Sequence, residues 1–410
     1  MTSGRLAEHF FRHEYGKLVA TLSRRAGISN IGAVEDAVQF ALLKALETWP
    51  PGAPPDNPTA WLFRVAQNAL VSDFRARSRR RRLLEQAADD PAMIPEMSDP
   101  ADPNESMLHM LFFCCDPAIP VDSQLVFVLK ILCGLSVEEI AQRLFVSEAN
   151  VYKRLGRARA GLQTLSDRFE NLSSVDYAER LSDVHTALYA LFTEGHLSSQ
   201  ADMPIRADLC KEAIRLTAFL ASHRVGQTPE TYALLALMHL HAARIAGRED
   251  GLGGLLLLEE QERAQWDQQA IAIGLEWLSR SAQGDRFSRY HAEAGIAAEH
   301  CLAPSFEETR WDRVAECYAQ LEAVAPSAMH RLNRAVAVAE WQGPEAGLAL
   351  LQGFAPPTWL SGSYLWAAVL ADLHRRCRNT APARHYREQA LELAPTPAIR
   401  ALLERRLLTV

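Results

Sequence analysis

The apolar residues of this chain recur at three- and four-residue spacing almost from end to end, and alternating runs of β-branched residues are missing. That periodicity constrains the fold most, because it suits one face of an α-helix and no strand. The expected class is all-α. Residues 135–162, "LSVEEIAQRLFVSEANVYKRLGRARAGL", show the pattern most clearly. Ser136 followed by Glu139 is a capping box and predicts a helix start. Val137, Ile140, Ala141 and Leu144 then form one apolar face. Ser147 is a second N-cap, and Glu148 suits the positive end of the next helix dipole. Val151, Leu155, Ala158 and Leu162 form the second face. Only a few residues separate the two, a connection of helix-turn-helix length. Phe145 stands where many such turns carry Gly, so it is expected to pack inward and give a non-standard turn.

The remaining face of the second predicted helix carries Asn150, Lys153, Arg154 and Arg157. Such side chains can reach phosphates and major-groove base edges. They equally suit a helical hairpin with a solvated basic face. On these residues alone both readings stand.

A chain of 410 residues is expected to form two or three domains. Its net charge is −7, so any nucleic-acid surface must be local. No apolar run is long enough for a membrane span, and the N-terminus lacks a signal-peptide core; a cytoplasmic location without membrane contact is expected. Seven scattered Cys with no CxxC pair are expected to be reduced, mostly buried thiols, without a metal. Residues 88–106 are rich in Asp, Pro and Ser and read as a flexible acidic linker. The expected segments are 1–87, 107–168 and 173–410.

The strongest charge signal is "WLFRVAQNALVSDFRARSRRRRL", residues 61–83. Phe63, Ala66, Leu70 and Phe74 supply an apolar row. The helix end carries Arg75, Arg77, Arg79, Arg80, Arg81 and Arg82. Cations suit a helix C-terminus, but this many repel one another, a cost that bound phosphates would relieve. A basic tail with no partner is the alternative. Upstream, "GAVEDAVQFALLKALETW" reads as an amphipathic helix. Its core stripe is expected to be Val34, Ala37, Val38, Ala41, Leu42, Ala45 and Leu46, with Glu35, Asp36 and Gln39 outside. A proline-rich loop then leads through Asp56, Asn57 and Pro58 into the capped helix of Trp61.

An acidic helix with "EDAVQ", a helix with "AWLFRVAQNALVSDFRARSRRRR", then a helix-turn-helix preceded by "IPVDSQLVFVLKILCGLS" occur in that order. This resembles a sigma-70-type initiation factor of the extracytoplasmic-function group, over about 8–83 and 107–165. The resemblance implies two small helical domains joined by the linker. It implies that residues 34–46 dock on the clamp helices of the RNA polymerase largest subunit, with Glu35, Asp36 and Gln39 as contacts, and that the polymerase flap is a further partner. It implies promoter DNA as the other partner. The loop 51–58, with Asp56 and Asn57, corresponds to the loop that captures a flipped −10 base. Asn68, Asp73, Arg75, Arg77, Arg79 and Arg80 fall on the −10 helix. Trp61 or Phe63 suits an aromatic platform, although each also suits the core. Asn150, Lys153, Arg154 and Arg157 fall on the −35 reader.

The remaining residues read as helical and weakly repetitive. Tyr318 to Tyr386 is 68 residues and Pro326 to Pro395 is 69, twice the tetratricopeptide period of about 34. An α-solenoid with a concave face is expected, resembling the subgroup with a long tetratricopeptide-like extension. That resemblance implies a regulatory or supporting role, with an unidentified protein or ligand as partner. Glu194, His196, Glu259, Glu260, Glu262, Asp267, His291 and His300 raise the question of an enzyme. No HExxH spacing occurs, and "GLGG" at 251–254 lacks the rest of a phosphate loop. Solvated faces and inter-helix ion pairs are the expected reading, so no enzymatic activity and no cofactor are expected. The second reading is a helix-turn-helix regulator with a tetratricopeptide-like sensor that does not act as a sigma factor. The third is a ligand-binding or enzymatic domain fused to a DNA reader.

Overall fold

The computed structural model describes residues 3–49, 55–85, 102–144, 146–164, 174–196, 207–248 and 256–407. Every regular element among them is a helix. They form two compact units, Met1–Ala190 and Leu191–Val410. Phe145, the loop positions 51–54 and the "GLGG" stretch lie outside the described residues.

The first unit contains α1 (Ser3–Ala26), α2 (Ile31–Thr48), α3 (Pro58–Glu85), α4 (Pro103–Cys114), α5 (Val121–Ile131), α6 (Val137–Leu144), α7 (Glu148–Gln163) and the first part of α8 (Ser174–His196). Helix α2 buries Val34, Ala37, Val38, Ala41 and Ala45. These small side chains let α1 and α3 close on it. Leu42 is half-buried, and Leu46, expected in the core, is 64% exposed. The buried face needs narrow residues, so the wide ones turn outward.

Helix α4 joins the two groups of helices. From Ser106 to Cys114 all its residues are buried, so it has no solvent face and must lie inside a shared core. It packs on α1 and on α5. Its start corrects the expected linker, which was to run to residue 106. Asp102 caps the helix by accepting from the Asn104 amide at 2.9 Å, and Pro103 occupies the first turn. Residues 86–101 of that segment lie outside the described residues. The helices around α3 and those around α7 fall in one compact unit. Gly16 shows how closely they meet. A Cβ there would lie 2.6 Å from the Leu132 carbonyl oxygen. Gly134, with φ +66°, presents its Cα to the Tyr15 ring, a backbone conformation that side-chain-bearing residues disfavour.

The second unit contains α9 (Ala207–Ser222), α10 (Pro229–Ala242), α11 (Gln268–Ser281), α12 (Arg289–Leu302), α13 (Trp311–Val324), α14 (Ala328–Gln342), α15 (Pro344–Leu351), α16 (Thr358–Ser361), α17 (Tyr364–Arg376), α18 (Thr380–Glu392) and α19 (Pro397–Leu407). Consecutive helices pack on one another. One apolar cluster joins Ile296 of α12 to Val314 and Val338 on α13 and α14. The next joins Leu332 to Leu351 and Leu370, and a third joins Ala371 to Ala390 and Leu403. Each helix layer thus contributes to two neighbouring clusters, the arrangement of a helical solenoid. The repeat signal falls where expected: Tyr318 and Tyr386 lie on α13 and α18, and Pro326 and Pro395 lie in the turns that follow them. The middle unit departs from the pattern through the short α15 and the four-residue α16.

Among the described residues no helix is long and apolar enough to cross a membrane. No group of three His, Cys, Asp or Glu is placed there to hold a metal ion.

Candidate nucleic-acid interface

The helix-turn-helix forms as its capping residues dictate. The Ser136 amide donates to Glu139 Oε2 at 2.8 Å, and the Glu139 amide donates to Ser136 Oγ at 3.0 Å. Ser147 caps α7 by accepting from the Asn150 amide at 3.3 Å. Ile140, Ala141 and Leu144 of α6 and Val151, Leu155, Ala158 and Leu162 of α7 are buried. That burial fixes which face of α7 turns outward. Asn150, Lys153 and Arg157 are exposed there, as expected.

Arg154 behaves differently. It is half-buried, and its Nε lies 3.3 Å from Asp122 Oδ2. Arg157 reaches the same oxygen at 2.9 Å. Asp122, in the first turn of α5, thus gathers two cations of α7. The exposed Arg157 pair contributes about 0.2–1 kcal/mol, so a phosphate can replace the carboxylate there at small cost. Tyr152, 61% exposed on the adjacent flank, was not singled out from sequence. It is a large ring left in solvent beside the basic face.

Helix α3 carries a second cationic face. Arg64, Asn68, Ser72, Arg75 and Arg79 are all exposed and follow one stripe at helical spacing. Arg64 extends this stripe and was missed, because it lies apart from the C-terminal arginine run. Arg77 and Arg80 are also exposed, on the flank. Asp73 pairs with Arg77 at 2.7 Å, which occupies both candidates in the absence of DNA. Leu62, Ala66 and Leu70 form the buried face. Asp56 and Asn57 are exposed before the helix. Asn57 has a structural role as well: its Oδ1 accepts from the Ala60 amide at 3.0 Å. Trp61 is half-buried and meets Trp49 edge-on at 5.4 Å, and Phe63 lies under the Arg25 guanidinium at 5.0 Å. Both rings are partly committed to the fold.

On α2, Asp36 and Gln39 are exposed as expected. Glu35 is not. It is 4% exposed, which corrects its placement among outward contacts. Arg159 Nη2 of α7 donates to Glu35 Oε2 at 2.6 Å, and the Tyr15 hydroxyl donates to Oε1 at 3.4 Å. Burial, then the neighbouring Glu35 carboxylate, push the Tyr15 phenol up. A partner 124 positions away turns this acid inward, and helical periodicity contains no trace of it. In its place the outer face of α2 presents Phe40, Leu43 and Leu46, exposed by 46%, 60% and 64%. These three large apolar side chains stand in solvent on one helix.

Comparison with known proteins agrees with this geometry. Residues 10–80 match sigma-70 region 2, and residues 117–162 match sigma-70 region 4. Residues 180–282 match a family of unknown function. An uncharacterized protein of Rhizobium meliloti, R00370, is 34% identical over 92% of this chain and 90% of its own length. A probable RNA polymerase sigma factor of Xanthomonas campestris, RfaY, is 29% identical over 39% of this chain and 42% of its own length. No solved structure matches the chain. With both region 2 and region 4 present in order, and a relative alike along nearly its whole length, the chain belongs to the sigma-70 family of RNA polymerase sigma factors and carries a helical C-terminal extension.

Proposed function

We propose that this sigma factor directs core RNA polymerase to promoters by reading the −10 element with α3 and the −35 element with α7. The observation that carries the reading is the presence of two separate exposed cationic faces in one compact unit. A plain helix-turn-helix repressor requires only the one on α7. Lys153 and Arg157 supply phosphate or base-edge contacts, and Asn150 a base-edge contact. Asn68, Arg75 and Arg79, with Arg64, follow a single strand, and Trp61 is the nearest ring for an unstacked base. Asp36, Gln39 and the exposed Phe40, Leu43 and Leu46 dock on the clamp helices of the largest polymerase subunit, while the helices around α7 meet the flap. The factor works in the cytoplasm and does no covalent chemistry, which belongs to the polymerase. The extension regulates or supports it.

The closed contact between α2 and α7 bears on this reading. Elements centred at −35 and −10 are about 25 base pairs apart, ~85 Å of duplex at 3.4 Å per pair. A compact unit of 190 residues is only about 40 Å across. Both elements are therefore read together only after the Glu35–Arg159 contact opens. The test is in vitro transcription with core RNA polymerase and promoter fragments. Full-length chain should start transcripts at defined sites, and Asn68→Ala with Arg75→Ala should abolish them. If the chain neither binds core polymerase nor starts a transcript, the reading fails and a plain DNA-binding regulator takes its place.

A further inference from the structure

Helix α8 begins beyond the region 4 match and bonds back toward it. That match ends at residue 162, and Arg180 is the first residue matched by the family of unknown function. The Tyr177 hydroxyl lies 2.8 Å from His109 Nδ1, and the Tyr177 ring meets Phe112 edge-on at 4.8 Å. Both partners belong to α4 and are buried. One turn on, Arg180 pairs with Asp116, just past the end of α4. Val184, Ala187 and Leu188 continue this buried side of α8 at helical spacing. The helix then runs unbroken to His196, past the end of the first unit at Ala190.

The Arg180–Asp116 pair is buried, with the two side chains 12% and 2% exposed. Removing one partner of such a pair strands the charge of the other. Asp116 also builds a turn. Its Oδ1 accepts from the Ala118 amide at 2.9 Å. Its carbonyl accepts from the Ile119 amide at 2.9 Å and from Gln124 Nε2 at 2.8 Å. Gln124 Nε2 donates to the Ile119 carbonyl as well, at 2.9 Å. Residues 116–119 are therefore closed on themselves at Asp116.

That turn is the seat of α7. Ile119 is 1% exposed and packs on Gly161 of α7, where an added Cβ would lie 3.2 Å from Ile119 Cγ1. At native packing density the turn has no slack, so a shift of the turn moves the helix. Helix α5 follows the turn and packs on α7, and its Asp122 holds Arg154 and Arg157. Arg180 thus reaches the cationic face in three links: the buried pair, the turn, and the contact at Gly161.

We propose, given the −35 reading by α7 proposed above, that Arg180 is a positioning residue for the −35 reader. Through Asp116 and the 116–119 turn it fixes where α7 sits, so sequence reading by region 4 depends on the first helix of the extension. Hydrogen bonds to base edges need donor and acceptor about 3 Å apart, and a displacement of about 1 Å breaks them. Long Lys and Arg side chains follow a phosphate over a wider range. Loss of Arg180 therefore lowers discrimination between sequences more than attraction to the backbone.

The experiment uses full-length chain without polymerase. Wild type selects a preferred −35 duplex from a random library, and fluorescence anisotropy compares that duplex with a scrambled one across a salt series. Arg180→Ala should lower the ratio of selected to scrambled affinity about tenfold and leave the salt slope unchanged. Arg180→Lys keeps the charge and should return the ratio to within about threefold of wild type. Asp116→Asn should lower the ratio too, and the double variant should lose no more than Arg180→Ala alone, because the two residues act as one pair. Three results each overturn the proposal: a wild-type ratio in Arg180→Ala, equal weakening on both duplexes, or a double variant that loses the product of the single losses. If Arg180→Ala does not fold by circular dichroism, Asp116→Asn decides alone, and an unchanged ratio overturns the proposal. A wild type that selects no duplex refutes the promoter reading and the role of Arg180 with it. A wild-type preference that survives Arg180→Ala refutes the role of Arg180 alone.

Discussion

Replacing Arg159 by Ala removes the cation partner of Glu35 while leaving the acid where it is, 4% exposed and held by one long bond from Tyr15. Breaking a fully buried pair by removing one partner costs about 3–5 kcal/mol. The Arg159 side chain is 42% exposed, so solvent already screens much of the attraction, and the expected cost falls to about 2 kcal/mol. Glu35→Gln should cost less, about 1 kcal/mol, because the amide oxygen still accepts from Tyr15 and no charge is stranded. Removing the cation should therefore do more damage than removing the anion's charge. Urea unfolding reads this directly. With a slope near 2 kcal/mol/M, the midpoint for the first unit should fall by roughly 1 M in Arg159→Ala and about half that in Glu35→Gln. Trp49 and Trp61 report on that unit, and the other tryptophans should show no change. Hydrogen exchange in residues 28–48 and 148–163 should rise together, because the pair joins α2 to α7. An Arg159→Ala midpoint indistinguishable from wild type would refute the reasoning, and so would equal damage from both variants. Either result means that Glu35 is hydrated in solution and the contact is open.

Three further outcomes are expected. Asp122→Asn releases Arg154 and Arg157 and should tighten binding to a −35 duplex by a few-fold, whereas Arg157→Ala should weaken it and reduce the salt slope by about one, read by fluorescence anisotropy across a salt series. Phe40→Ser with Leu43→Ser should leave the thermal midpoint nearly unchanged, since both side chains are exposed, yet weaken binding to core polymerase by about 2 kcal/mol, or roughly 30-fold. Burial drives His196 and His300 each down to about 3 in the fold; their stabilisation is complete above the unfolded value near 6.5 and is lost as pH falls toward 3, at up to about 1.4 kcal/mol per pH unit each, so urea unfolding of the extension should weaken by roughly 2 kcal/mol between pH 7 and 5.5, and less in His196→Asn.

What the sequence shows of this molecule is what local rules control. The Ser136–Glu139 box, the Ser147 cap and the outward Asn150, Lys153 and Arg157 follow from spacing over a few residues. The Tyr318/Tyr386 and Pro326/Pro395 repeat follows from period. Glu35 does not, because its inward turn depends on Arg159, far along the chain. Leu46 was misplaced for a related reason: a stripe of seven apolar residues is wider than the face α2 buries, and only the packing of α1 and α3 decides which are left out. The shared core around α4 was hidden because a helix apolar on every side reads the same in a small domain as between two. In α8, Arg180 meets Asp116 from 64 positions along the chain, and neither residue falls in a motif.

A chain of net charge −7 that must bind DNA has to separate its arginines by task, and the carboxylates show how. Asp122 and Asp73 hold Arg154, Arg157 and Arg77 at the surface, where each pair is weak enough for a phosphate to displace it. Such pairs keep the cations from repelling one another in the free protein. Glu35 holds Arg159 from a buried position, where exchange would strand a charge. Arg159 lies on the same helix, two residues beyond Arg157, yet its partner fixes the fold and theirs does not. Burial of the acid, and not the identity of the base, separates the arginines proposed to read DNA from the one that joins α2 to α7.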